Sequence, residues 1–208
     1  MPGVRLQQVR VKICGLTRLE DALLAESLGA WALGFVLAPG SRRWVSPERA
    51  REISQALGPF VVRVGVFRDQ PPEEVLRLME EARLQVAQLH GGEPPEWAEA
   101  VGRFYPVIKA FPLEGPARPE WADYPAQALL LDGKRPGSGE AYPRGWAGPL
   151  LGSGRRVILA GGLTPENVGE ALALRPYAVD LATGVEEAPG VKSEARMRAL
   201  FARIMIGG

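Results

Sequence analysis

The stretch Val157-Ile-Leu-Ala-Gly-Gly-Leu-Thr-Pro-Glu166 decides the fold. Four apolar residues make a run of strand length, a glycine pair closes it, and Thr164-Pro165-Glu166 reads as a helix N-cap with proline at the first helical position. A strand apolar at every position is buried on both faces, as in a parallel sheet covered by helices. The same strand-then-helix unit recurs outward in both directions. Downstream, Ala178 to Ala182 is a strand and Ser193 to Ile206 a closing amphipathic helix. Upstream lie strands at Ala128 to Leu131, Tyr105 to Ala110, Val86 to Leu89, Phe60 to Phe67, Trp31 to Leu37 and Val9 to Cys14.

Helix starts punctuate these runs. Thr17-Arg-Leu-Glu20 has the spacing of a capping box, its helix stopping near Gly29, and Ser46-Pro47 opens a helix that closes at Gly58. Pro72 to Ala82 places Val75, Leu76 and Met79 on one stripe, Pro95 to Val101 is a shorter helix, and a weak helical segment surrounds Glu120. Eight strands in 208 residues give 26 residues per unit. That is the compact end for a single-domain α/β fold of the (β/α)8 TIM-barrel type, whose usual size is about 250 residues. One domain over residues 1–208 is therefore expected. A doubly wound open sheet uses the same order of elements, which by itself does not close a barrel.

Composition narrows the function. Lys+Arg 25 against Asp+Glu 24 leaves a net charge of +1, with no basic run to serve as a nucleic-acid footprint. Hydrophobic residues at 46% suffice for a core. The single cysteine, Cys14, forbids an intrachain disulfide, Met1 to Gln8 lack the apolar centre of a signal peptide, and no stretch approaches membrane-spanning length. A cytoplasmic protein with no membrane partner is the expectation. Arginine outnumbers lysine 21 to 4 and Asn167 is the only asparagine, which suits either a heat-adapted protein or a biased genome.

In either α/β architecture chemistry sits at the carboxyl ends of the strands. There this chain places Cys14, His90-Gly91-Gly92, Lys109, Asp132, Gly161-Gly162, and Asp180 followed by Thr183-Gly184. Glycine-rich strand ends suit phosphate, bound through backbone N–H groups, and equally suit tight turns. Cys14, His90 and Asp132 lack the short spacing of metal ligands. Lys12, two residues before Cys14, shares its face of the strand and is a candidate for lowering its thiol pKa.

Val11-Lys-Ile-Cys-Gly-Leu-Thr17, Gly34-Phe-Val with Ser41-Arg-Arg43, Val64-Gly-Val-Phe67 and Gln88-Leu-His-Gly91 open a series of segments. Val107-Ile-Lys-Ala110, Leu129-Leu-Leu-Asp132, Ala160-Gly-Gly-Leu-Thr-Pro-Glu-Asn-Val168, and Val179-Asp180 with Gly184-Val-Glu186 continue it. In this order they resemble the phosphoribosylanthranilate isomerase family of tryptophan biosynthesis. The resemblance implies a (β/α)8 barrel running a cofactor-free Amadori rearrangement of a small phosphorylated substrate. N-(5-phosphoribosyl)anthranilate becomes 1-(2-carboxyphenylamino)-1-deoxyribulose 5-phosphate.

It further implies Cys14 as general base, Asp132 as general acid and Arg43 as the clamp on the anthranilate carboxylate. Asp180 would meet a ribose hydroxyl, and the phosphate would rest near Gly161, Gly162, Thr183 and Gly184. His90 is read either as structural or as lining the substrate pocket. Some heat-adapted members of the family are homodimers, so a homodimer is one expected assembly.

Two departures stand out. The family's usual Gly-Gly-Thr/Ser-Gly loop and Phe-Asp-Trp are replaced by Pro136-Gly-Ser-Gly139 and Glu140-Ala-Tyr-Pro143, with Trp146 displaced. This leaves the substrate contacts of residues 133–146 open. Ala182-Thr183 stands where two serines are common. Two rivals remain: a histidine-pathway aminoaldose isomerase, which would be expected to use two aspartates and no cysteine, and a catalytically silent phosphate-binding barrel.

Overall fold

Eight short β-rich runs pair side by side, each with the next in sequence, and the last returns to the first. A computed structural model describes residues 9–135 and 138–207. The strands are β1 Arg10–Cys14, β2 Ala32–Val36, β3 Val62–Phe67, β4 Val86–Leu89, β5 Val107–Leu113, β6 Ala128–Gly133, β7 Val157–Leu159 and β8 Ala178–Leu181. All pair in parallel, and the β1–β8 pairing closes the barrel, which excludes the open sheet. The ring sets Cys14 beside Gly34 and Lys12 beside Asp180.

Side chains alternate across each strand, so the two faces differ. Outward-facing Leu129, Leu131, Leu159 and Val179 pack under the helices. Each fully buried leucine there contributes about 1.5–3 kcal/mol by area. The barrel interior holds a smaller apolar layer of Ile108, Ala110, Ala128, Leu130, Ile158, Ala160 and Ala178. Continuing that inward phase by two residues from Leu130 reaches Asp132. On β1 the same phase carries Lys12 and Cys14. The period of two thus aims the polar strand ends into one mouth.

The outer helices are α1 Leu19–Ser27, α2 Pro47–Ala56, α3 Pro72–Glu81, α4 Pro95–Gly102, α5 Gly148–Leu151, α6 Val168–Ala173 and α7 Glu194–Gly207. Proline at N1 starts α2, α3 and α4, where its missing N–H costs no helical bond. Ser46 caps α2, its hydroxyl accepting from Arg49 N at 3.2 Å. Gly29, with φ +95, ends the α1 segment.

Two sequence expectations about helix starts are corrected. Thr17 and Glu20 form no capping box: α1 begins at Leu19 without a side-chain cap, and the Thr17 hydroxyl donates instead to Gly190 O at 2.6 Å. Thr164-Pro165 opens a turn rather than a helix. Asn167 Oδ1 accepts from Thr164 N at 2.8 Å while Asn167 Nδ2 donates to Gly162 O at 2.8 Å, which delays α6 to Val168. The weak helical segment expected around Glu120 is present as a short 3-10 helix, Pro119–Asp123. A further pair, β9 Glu186–Ala188 and β10 Val191–Lys192, forms an antiparallel hairpin after β8 that no sequence signal announced.

Candidate active site

The mouth at the carboxyl ends of the strands encloses a cavity of about 440 Å³. Cys14, Arg43, His90, Asp132, Gly161, Gly162, Asp180, Thr183 and Gly184 all line it, so the residues expected to act on or bind the substrate converge on one site, whereas Lys12, Gly91, Gly92 and Lys109 do not line it. Cys14 on β1 and Asp132 on β6 stand three strands apart round the ring. They face each other across the opening.

Cys14 is 9% exposed. The facing strand makes room for its sulfur, since a Cβ on Gly34 would lie 2.7 Å from Sγ. Lys12 acts on this thiol in the expected, lowering direction, but it is outweighed. Burial pushes the Cys14 pKa up, and neither Lys12 nor Lys192 overcomes it. Asp180, whose two carboxylate oxygens each lie 3.0 Å from Lys12 Nζ, adds a smaller push in the same upward direction as burial. Burial would lower Lys12, yet Asp180 and Cys14 together hold its pKa above the ordinary value.

Asp132 Oδ1 accepts from Gly133 N at 2.8 Å. Its Oδ2 lies 3.2 Å from His90 Nε2, off the line of a formed hydrogen bond. His90 Nδ1 lies 2.9 Å from Gln88 Nε2, so β4 orients the ring toward the acid. Behind it, buried Lys109 donates to Glu93 and to Gly91 O, each at 2.6 Å, pinning the turn that carries His90.

The glycines at the mouth are dictated by close approach. A Cβ on Gly184 would sit 1.9 Å from Leu163 O, and one on Gly162, with φ +61, 2.7 Å from the Ala141 backbone. Arg144 braces the same turn, donating to Ala160 O at 3.0 Å and Gly161 O at 2.8 Å. Buried Tyr142 packs beneath that guanidinium, and burial pushes its phenol pKa up to about 12. Pro136 and Gly137 lie outside the described residues.

The family model for N-(5'-phosphoribosyl)anthranilate (PRA) isomerase matches residues 11–203. The chain belongs to this family. A phosphoribosyl anthranilate isomerase structure from Thermus thermophilus is 85% identical, covers 95% of this chain and 99% of its own, and superposes with a TM-score of 0.95. The N-(5'-phosphoribosyl)anthranilate isomerase of Thermotoga maritima is 46% identical over 189 residues, 88% of this chain and 92% of that protein. A further phosphoribosyl anthranilate isomerase structure is a complex with reduced 1-(o-carboxyphenylamino)-1-deoxyribulose 5-phosphate. It is 39% identical with a TM-score of 0.85, covering 95% of this chain and 98% of that one.

In this isomerase-family chain the residue expected to clamp a carboxylate already holds one. Arg43, 7% exposed, donates from Nε to both oxygens of Glu186 at 2.9 and 3.1 Å. Its Nη2 reaches Glu186 Oε2 at 2.7 Å and Thr183 Oγ1 at 3.0 Å. Burial alone would raise Glu186, but the Arg43 hydrogen bonds and Lys192 hold its carboxyl below the ordinary range. Glu186 and Lys192 escaped the sequence reading as site residues. The one available signal was lysine scarcity: of four lysines, Lys12, Lys109 and Lys192 are buried at the mouth or beneath it. Among the described residues no group of His, Cys, Asp and Glu is arranged to hold a metal ion, and no helix is long and apolar enough to cross a membrane.

Proposed function

We propose that this chain converts N-(5-phosphoribosyl)anthranilate to 1-(2-carboxyphenylamino)-1-deoxyribulose 5-phosphate, with Asp132 as general acid and Cys14 as general base. The observation that carries the reading is the convergence of a carboxyl and a thiol on opposite sides of one cavity in a chain of this family. Asp132 gives its proton to the ribose ring oxygen, the bond from that oxygen to C1 breaks, and the nitrogen lone pair makes an iminium. The Cys14 thiolate takes the C2 proton, whose electrons form the enolamine. Protonation at C1 and loss of the enol proton give the ketone, so the reaction consumes no co-reactant.

Arg43, oriented by Glu186 and Thr183, meets the anthranilate carboxylate, for which its planar fork is suited. The phosphate rests against Gly161, Gly162, Thr183 and Gly184, where a second cavity of about 310 Å³ opens past Gly162 and Gly184 toward Arg196. Asp180, tied to Lys12, is placed to accept from a ribose hydroxyl. His90 lines the pocket beside the acid. Residues 1–208 act as one catalytic domain in the cytoplasm, and the family resemblance favours a homodimer, which sedimentation velocity reads directly.

The test is the fluorescence decay of phosphoribosylanthranilate. The wild-type chain should consume it to the aminoketose at a turnover of about 1 per second or faster, as enzymes of ordinary efficiency do. Tight binding without turnover would instead mark a silent phosphate-binding barrel.

A further inference from the structure

Lys192 is fully enclosed at the end of β10, an expensive place for an ammonium. Its Nζ faces three acceptors: Cys14 O at 2.5 Å, Glu186 Oε1 at 2.8 Å and Ala182 O at 3.4 Å. Three acceptors match the three N–H donors of a charged ammonium, where a neutral amine would leave one acceptor unmet. The backbone of Lys192 is held as firmly. Its N donates to Asp21 Oδ2 at 2.9 Å, and Arg18, itself paired to Asp21, reaches its carbonyl. Gly190 N donates to Glu186 Oε1 at 3.2 Å, and Thr17, in the loop before α1, holds Gly190 O.

The charge count gives this arrangement a purpose. Arg43 and Glu186 taken alone are a neutral pair, and a carboxylate approaching Arg43 would meet a carboxylate already bound to it. Lys192 adds a second cation to the same Glu186, so the cluster of Arg43, Glu186 and Lys192 carries one net positive charge. The neighbouring Lys12–Asp180 pair is neutral and cancels none of it, and Arg18 is shared between buried Asp21 and Glu20, which is exposed and screened by solvent. Asp132 stands across the mouth on β6.

We propose that Lys192 is a positioning residue that keeps the Arg43–Glu186 pair net cationic, so that the clamp attracts the carboxylate of an anthranilate-type substrate. This rests on the reading of Arg43 as the carboxylate clamp. Lys192 touches no substrate atom; it acts through Glu186, whose charge it shares with Arg43, so that the cluster as a whole meets the ligand with one positive charge.

The experiment measures affinity for two ligands: reduced 1-(o-carboxyphenylamino)-1-deoxyribulose 5-phosphate, and the same compound without the ring carboxylate. Lys192→Met should weaken the carboxylated ligand about tenfold, the scale of one partly screened unit charge, and leave the carboxylate-free ligand bound as in wild type. In turnover the change should fall on KM more than on kcat. The double variant Glu186→Gln, Lys192→Met again leaves Arg43 as the single net charge and should recover most of the lost affinity. Equal losses for both ligands, or no recovery in the double variant, would show that Lys192 only anchors the hairpin and would overturn the inference. Arg43→Gln separates the two layers. If it leaves carboxylate affinity unchanged, the clamp reading falls and the inference with it; if it weakens affinity while Lys192→Met does not, the inference alone falls.

Discussion

The thiol of Cys14 sits where two effects oppose each other, and burial wins. Its pKa is raised in the fold, so the neutral thiol is favoured and the thiolate appears only as pH rises beyond the ordinary thiol value of about 8.5. A base that must be ionised to act then gives kcat/KM an ascending limb above that pH. Asp180→Asn removes the partner that holds Lys12 and the charge that raises the thiol, so its limb should move to lower pH. A wild-type limb at or below the ordinary thiol value would contradict this balance. Cys14 and Asp132 were legible because strand periodicity and motif context both aim them inward. Glu186 and Lys192 were not: no sequence signal announces the hairpin that carries them, and only the ring's closure brings Arg43 and Cys14 against them.

Helix starts separate local signals from tertiary ones. Ser46-Pro47, Pro72 and Pro95 act as their chemistry dictates, because nothing nearby competes for the same groups. Thr17 and Thr164 carry comparable signals and fail, since Gly190 O takes the first hydroxyl and the Asn167 side chain ties up the second turn. Urea denaturation should register the difference. Ser46→Ala removes a formed cap and should cost about 1 kcal/mol. Glu20→Ala removes an exposed side chain with no capping bond and should change stability by less than about 0.5 kcal/mol. Equal losses would mean that the capping box forms in solution after all. The β9–β10 hairpin belongs to the same lesson: its strands of three and two residues are too short for periodicity, and its position comes from bonds to α1 and the mouth.

At the scale of the molecule, the order of strands and helices left barrel and open sheet equally open, and the β1–β8 pairing is what decides between them. Closure also makes the site, because it sets β1 across the mouth from β6 and gathers nine residues from separate stretches of the sequence round one cavity. The glycine and proline content, about a fifth of the chain, is used in the tight turns this compact ring requires. The central claim is that the two sides of the mouth divide one proton-transfer reaction between them. Its most direct test is the turnover of phosphoribosylanthranilate by Cys14→Ser and by Asp132→Asn, each checked for retained binding of the reduced product analogue. Each variant should bind the analogue yet lose at least about 10²-fold in kcat. Near-wild-type turnover in either would contradict the assignment of base and acid.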